Sequence, residues 1–258
     1  MTSAPGEGEQ RGQLLPAGRP LTVRWVVLDA VGTVIFANPA VGDVYHRVAS
    51  RHGSRRTRQQ IADRFHRVLR EDDRADLLQQ TAGRWRCRPT SEEREWDRWQ
   101  AVVGRVIDDV PGDAGHACFE ELFGYFGRSD AWTCFEDVEP CLADLASRAV
   151  PVAVASNFDR RLDTICAELK PLRGIDPVLV SSRLGFRKPD ERFFQQVTSA
   201  LDCRPEDILF VGDDLRNDIE AARAAGMHAV HINRTARQLG TGSIASLTEI
   251  VERVEVHP

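Results

Sequence analysis

The chain has 258 residues, 42% of them hydrophobic, which is enough for one large α/β domain or a core with a sizeable insertion, and a full apolar interior then needs no disulfide or metal staple. Its 34 basic and 39 acidic side chains leave a net charge of -5, which offers no field for nucleic acid or an anionic membrane and makes a small molecule the expected partner. The six cysteines, Cys87, Cys118, Cys134, Cys141, Cys166 and Cys203, form no Cys-x-x-Cys pair and have no histidine at zinc-finger spacing, so they read as reduced, buried thiols.

Residues 1–20 are rich in Gly, Pro, Gln and Glu and read as a flexible tail. They hold no continuous apolar h-region and no later stretch is apolar over a bilayer's thickness, so a cytoplasmic protein without signal or membrane span is expected. The core begins at 21–36, where an apolar strand over 23–28 runs into Asp29 and the turn Gly32-Thr33. Residues 37–135 have a different texture, long and Arg-rich, with Trp85, Trp96 and Trp99 at mixed spacing and no convincing strand. They are expected to form an all-helical insertion, with Thr90 and Glu93 as a capping box opening the helix that carries Trp96 and Trp99. Between Arg47 and Arg98 there are 14 arginines against nine acids, a charge that could draw an anionic substrate inward but reads more simply as a solvated face. The core resumes at 136–258. Short, mostly apolar runs at 150–155, 178–180, 208–211 and 228–232 alternate with amphipathic segments at 138–148, 159–170, 190–201 and 216–225. This is the β-α pattern of a doubly wound, Rossmann-like parallel sheet, and Gly226 is placed to end the last helix.

Four polar groups fall at strand ends or in strand-to-helix loops: Asp29, Ser156 with Asn157, Lys188, and Asp213 with Asp214. In an open parallel sheet such loops converge outside the carboxyl ends of the strands, where ligands bind. Taken singly each has a plain structural account: a turn-capping carboxylate, a helix N-cap, a solvated loop lysine, an acidic first helical turn. Together they meet the demands of phosphoryl transfer. Asp29 supplies a nucleophile, Asp213 an oxygen for Mg²⁺, and the Val31 carbonyl another oxygen that does not depend on the side chain. Lys188 supplies a point charge and Ser156 a neutral donor for the transferring oxygens.

The motifs Leu28-Asp29-Ala30-Val31-Gly32-Thr33, Val154-Ala155-Ser156-Asn157, Arg187-Lys188-Pro189-Asp190 and Val211-Gly212-Asp213-Asp214, with Asn217-Asp218 following, occur in this order. Over residues 23 to about 232 the chain resembles the haloacid dehalogenase superfamily of hydrolases. The resemblance implies a Rossmann-like core with the insertion as its cap, an aspartyl-enzyme intermediate, and Mg²⁺ held by Asp29, the Val31 carbonyl and Asp213. Asp29, Ser156 and Lys188 are then the catalytic residues, and Thr33, Ser156 and Asn157 the expected contacts to a small phosphorylated substrate. Asp218 is expected behind the metal, orienting its water or Lys188, while Asp214 is left between ligand and support.

Val31 departs from the pattern, because superfamily phosphatases place there the acid that protonates the leaving group. General acid-base help contributes roughly 10²–10⁴ in rate, so a slow phosphatase is expected, one limited to good leaving groups or one that borrows a donor such as Tyr45 or His46. Tyr45, His46 and the tryptophans otherwise read as packing or surface residues. Two alternatives remain open: a metal-independent 2-haloacid dehalogenase, which the crowd of acids at 213–214 argues against, and a catalytically weak member that binds phosphate compounds or a protein. Phosphonate cleavage through a cap lysine is disfavoured, since the only lysines are Lys170 and Lys188. Oligomeric state is left open.

Overall fold

The computed structural model describes residues 20–81, 84–235 and 242–256. All but Pro20 of the tail expected at 1–20 lies outside the described residues. In chain order the elements are β1 (Leu21–Val23), β2 (Trp25–Leu28), β3 (Ile35–Ala37), α1 (Val41–Arg51), α2 (Arg58–Asp76), β4 (Leu77–Thr81), β5 (Arg84–Cys87), α3 (Glu92–Val106) and α4 (Gly112–Tyr125). Then follow β6 (Trp132–Cys134), α5 (Val138–Ser147), β7 (Val152–Ser156), α6 (Arg161–Glu168), β8 (Val178–Val180), α7 (Ser181–Leu184), α8 (Glu191–Ala200) and β9 (Ile208–Gly212). A π-helical turn over Leu215–Glu220 leads into α9 (Ala221–Ala224), β10 (His228–Ile232), β11 (Ser243–Ile244) and β12 (Val254–Val256).

A six-stranded sheet in the order β11-β10-β9-β2-β7-β8, parallel throughout, forms the core. Alternate residues of its strands are buried on opposite faces, which is why the strands read as continuous apolar runs. Val26, Leu28, Val154, Leu209 and Val211 pack with Val138, Cys141 and Leu145 of α5 and Leu162 and Ile165 of α6. Val27, Ala153, Ala155 and Phe210 pack on the other side with Phe193, Phe194 and Val197 of α8 and Ala221 and Ala222 of α9. The small side chains of α9 admit it close to the sheet, and Gly226, at φ +90°, closes it as expected. The run expected as one strand over 23–28 is divided: β1 pairs with β12, β2 sits between β7 and β9, and between them the Arg24 amide donates to the Asp207 carbonyl at 2.7 Å.

Above the core, α1 to α4 enclose a separate apolar cluster that includes Val44, Val48, Ile61, Val102, Val106 and Phe119, giving the helical cap its own interior. The insertion is not all-helical. The antiparallel hairpin β4–β5 lies within it, and β6 pairs antiparallel with β3 where the chain leaves and re-enters the core. In the second hairpin strand Trp85 and Cys87 are buried while Arg86 is more open, a period-two pattern, and Asp190 accepts a hydrogen bond from the Cys87 amide at 2.6 Å. The capping expectation at Thr90 shifts by one residue. Ser91 is the N-cap of α3, accepting from the Arg94 amide at 3.2 Å, while the Thr90 hydroxyl donates to buried Glu95 at 2.7 Å. All six cysteines are free, four of them buried and Cys134 and Cys203 half-buried. Among the described residues no helix is long and apolar enough to cross a membrane.

The C-terminal segment is tied to the nucleophile loop through Asp137. Its Oδ2 accepts from Arg234 Nη1 at 2.9 Å, Ser246 Oγ at 3.0 Å and the Leu247 amide at 2.7 Å, and Arg234 Nη2 donates to the Thr33 carbonyl at 2.5 Å. Burial opposes charge on Asp137, but the Arg234 guanidinium and these donors outweigh it and hold the carboxyl below its usual range. Replacing it takes the acceptor from Arg234 Nη1, Ser246 and the buried Leu247 amide, so Asp137→Ala is expected to lower the urea unfolding free energy by about 2–4 kcal/mol at pH 7. A carboxyl with a depressed pKa stabilises above its unfolded value, about 3.9, and stops doing so as pH falls through the folded one. The difference between wild type and variant should therefore narrow from pH 5 to pH 3, and a gap that stays constant over that interval would contradict the assignment.

Candidate active site

Asp29 follows the last residue of β2, and its amide donates to the Val211 carbonyl at 2.9 Å, so the pairing with β9 sets Asp29 beside the loop that carries Asp213. The chain then turns tightly around the Ala30 carbonyl, which accepts from Thr33, Val34 and Ile35 at 3.3, 2.8 and 2.9 Å. Gly32 lies at φ +90°, and a Cβ there would stand 2.2 Å from Asp213 Oδ2. Gly212 likewise makes room for Asp218, whose Cγ would lie 2.3 Å from an added Cβ. Neither close approach tolerates a side chain, so the two glycines allow three carboxylates to meet.

Those carboxylates are Asp29, Asp213 and Asp218, with one oxygen from each lying within 4.8 Å of the others. Lys188 is buried among them: its Nζ donates to Asp29 Oδ1 and to Asp218 Oδ1, both at 2.6 Å. Burial opposes a charge on Lys188, but Asp218 and Asp29 outweigh it and hold its pKa above the ordinary lysine range. Each such attraction is worth about 4 kcal/mol for a 4 Å pair at an effective dielectric of 20, against a desolvation penalty of several kcal/mol per ion, so the ammonium needs both partners. Three carboxylates facing one ammonium leave an excess of negative charge. Burial and mutual repulsion, with Asp29 the first repelling neighbour of Asp213, raise the pKa values of Asp213 and Asp218.

The oxygens divide by role. Asp218 is fully engaged, with Oδ1 on Lys188 and Oδ2 accepting from the Asp214 amide at 3.0 Å. Asp214, left between two roles by the sequence, caps the π-helical turn: its Oδ1 accepts from the Arg216 and Asn217 amides at 2.9 and 2.8 Å. Among the described residues no hydrogen bond is made to Asp29 Oδ2 or to either oxygen of Asp213, which stands exposed to the cleft. This all-oxygen set, with an unbalanced negative charge and no bulky side chain between its members, suits a hard divalent cation.

The expected substrate contacts separate. Ser156 is buried at the end of β7 and lines the cleft. Asn157 also lines it, and its amide clasps the backbone of Lys188, accepting from the amide at 2.7 Å and donating to the carbonyl at 2.9 Å. Thr33 is wholly buried and does not line the cleft, because the turn around Ala30 draws it inward. Val31 does line it and is 40% exposed. Tyr45 reaches the cleft from α1, packed edge-on against Phe65 at 5.0 Å, and burial raises its phenol pKa, whereas His46 is not part of the lining. Trp99 faces the cleft, Trp96 packs on Phe119 and Phe123, and Trp85 is buried against the sheet.

The cleft has a volume of about 360 Å³ and is lined by the carboxylates, Lys188, aromatic side chains of the cap, Phe158 and three arginines. Its arginines are already matched. Arg98 meets Asp72 at 2.6 Å and Asp73 at 3.1 Å, while Arg187 lies 3.6–4.0 Å from Glu95, Asp73 and Asp76. Arg161 pairs with Asp159 at 2.7 Å and donates to the Phe123 carbonyl of the cap at 2.7 Å. Sequence reasoning assigned none of these three a role: the acids of Arg187 lie in the cap, those of Arg98 partly in α2, and the adjacent Asp159 gives no sign that Arg161 reaches the cleft.

Fold and site together describe an α/β hydrolase whose carboxylate and lysine sit under a helical cap. The model of the haloacid dehalogenase-like hydrolases matches residues 23–226, and the chain belongs to that family. It is 27% identical over 214 residues to haloacid dehalogenase-like hydrolase domain-containing protein 3 of Homo sapiens, covering 81% of each chain. A phosphoserine phosphatase of Thermus thermophilus is 29% identical over 138 residues, 52% of this chain and 55% of that one. Among solved structures, a defluorinating L-2-haloacid dehalogenase superposes with a TM-score of 0.70 at 18% identity, covering 90% of this chain and 98% of its own, a likeness of fold.

Removing the ammonium should expose the repulsion it offsets. In chelator, Lys188→Met is expected to cost about 3–5 kcal/mol in urea unfolding, and adding Asp218→Asn should restore part of that loss. A cost below 1 kcal/mol, or additive losses in the double variant, would show that Lys188 does not hold the carboxylates together.

Proposed function

We propose that the chain is a Mg²⁺-dependent phosphatase of a small phosphomonoester, acting through an aspartyl-phosphate on Asp29. The observation that carries this reading is the pair of unengaged carboxylates, Asp29 Oδ2 and Asp213, beside an ammonium already bound at 2.6 Å to the other oxygen of Asp29. Asp29, Asp213 and the Val31 carbonyl would hold Mg²⁺, which when bound offsets the repulsion between a carboxylate and an anionic phosphate. Asp29 attacks phosphorus, the bond to the leaving oxygen breaks, and water then attacks phosphorus to release phosphate and restore the carboxylate. Lys188 steadies the nucleophile and the transferring oxygens, Ser156 donates to them, and Asn157 and Asp218 hold Lys188 in place. The cap, taken as residues 37–135 over a core of 21–36 and 136–258, excludes water during the first step. The free cysteines fit a reducing, cytoplasmic setting.

Phosphate release by the Thermus thermophilus relative lends support to the same chemistry here. Val31 supplies no acid to protonate the leaving group, and of the two residues considered as lenders Tyr45 alone lines the cleft. Dehalogenation is the competing reading, favoured by Val31 and by the dehalogenase-like fold, but it gives no use to Asp213.

With an aryl phosphate and Mg²⁺, turnover is expected to fall at least 10³-fold in chelator or in Asp29→Asn. Val31→Asp should raise turnover of alkyl phosphates about 10–100-fold, within the range general acid catalysis supplies. Halide release from a 2-haloacid that persists in chelator, without phosphatase activity, would replace this proposal with the dehalogenase. Activity and binding unchanged in Asp29→Asn would replace it with a non-catalytic role.

A further inference from the structure

The cleft above Asp29 is unlike a site for a sugar, nucleotide or amino-acid phosphate. One end carries the reacting groups, and the space beyond is walled by Phe65, Trp99, Phe119, Phe123, Phe126 and Phe158. The cations that open onto this space, Arg98, Arg161 and Arg187, lie beside the carboxylates of Asp72, Asp73, Glu95 and Asp159, with Asp73 and Glu95 shared between Arg98 and Arg187, so their charge is compensated by acids of the chain before a carboxylate or a second phosphate arrives. A polar leaving group would lose its water there without gaining partners, whereas a flat ring gains edge and face contacts. The same cleft holds Val31, exposed and with no proton to give a leaving oxygen.

Both features select one kind of ester. We infer that the substrate is an aryl phosphate, with a phenol as leaving group seated among the cap aromatics; this rests on the phosphatase reading of the same site. A phenol has a pKa of about 10, so its oxygen can depart as the anion without a general acid, unlike an alkoxide. Asp29 attacks phosphorus, the phosphorus–oxygen bond to the ring breaks, and its electron pair stays on the phenolate, which is protonated by the proton set free in the hydrolytic step. One water attacks the aspartyl-phosphate at phosphorus, returning Asp29 as a carboxylate, releasing inorganic phosphate and giving up the proton that the phenolate takes. The sum is one ester and one water giving one phenol and one phosphate.

Four phosphates assayed with Mg²⁺ separate the two requirements. Phenyl and 1-naphthyl phosphate satisfy both; benzyl phosphate keeps the ring but leaves as an alkoxide, and acetyl phosphate leaves readily but fills none of the pocket. Phenyl and naphthyl phosphate are expected to turn over. Benzyl phosphate should bind as a competitive inhibitor, with an inhibition constant near the KM of phenyl phosphate, and turn over at least 100-fold more slowly. Acetyl phosphate should show a KM at least tenfold higher than naphthyl phosphate. Val103→Phe, which narrows the pocket, should raise the naphthyl phosphate KM about tenfold; Trp99→Ala, which removes a wall, should do the same, and circular dichroism confirms that each variant folds. Benzyl phosphate turned over within tenfold of phenyl phosphate would overturn the leaving-group argument. An acetyl phosphate KM matching that of naphthyl phosphate, or a naphthyl KM unmoved in both folded variants, would overturn the pocket argument while leaving the phosphatase intact. No phosphate released from any of the four would overturn this inference together with the phosphatase reading beneath it.

Discussion

The structure depends on a single buried ammonium. Lys188 sits between Asp29 and Asp218, 2.6 Å from each, at the carboxyl edge of a sheet whose strands are otherwise apolar on both faces. Without it, three carboxylates would share one pocket and repel one another; with it, two are tied to a fixed point, and the third, Asp213, stands beside them with no hydrogen bond to its carboxylate oxygens among the described residues. Much of the surrounding chain serves this arrangement. Strand order puts β2 between β7 and β9, Asn157 grips the lysine backbone from the end of β7, and Gly32 and Gly212 remove the atoms that would keep the acids apart.

The same electrostatics explains why an arginine-rich cap does not make a basic cleft. Fourteen arginines between Arg47 and Arg98 suggest a field for anions, yet of these only Arg98 lines the cleft, joined there by Arg161 and Arg187 of the core, and acids stand beside all three: Asp72 and Asp73 from α2, Glu95 from α3, Asp159 from the loop after β7. Burial favours this pairing, since an unmatched guanidinium in an aromatic wall would be strongly destabilising. The outcome is a cavity whose walls combine aromatic side chains with arginines already facing acids, and the chemistry that fits it is set as much by what the walls withhold as by what the floor supplies.

The core was legible in the sequence because its signals are local. Continuous apolar runs such as Val26-Val27-Leu28 report burial on both faces, and polar residues at their ends mark the loops where a parallel sheet gathers its site. Asp29, Ser156, Lys188 and Asp213 meet in the structure as that reasoning implies. What the sequence concealed is decided by distant partners. Thr33 turns inward because Ala30 collects the amides of its loop, Asn157 is committed to a lysine 31 positions away, and Asp214 closes a helical turn. The hairpin of β4 and β5 was missed although Arg84-Trp85-Arg86-Cys87 alternates with the period of a strand, because the Arg-rich helical texture on either side masks so short a segment.

The central claim is that an oxygen of Asp29 forms a covalent bond to the incoming group beside a divalent cation. The most direct test is a crystal structure of the protein soaked with beryllium fluoride and Mg²⁺. The account predicts a tetrahedral beryllium fluoride bonded to a carboxylate oxygen of Asp29, with Lys188 in contact with a fluoride and the cation touching Asp213. Beryllium fluoride absent from Asp29, or Asp213 turned away from an occupied cation site, would contradict it.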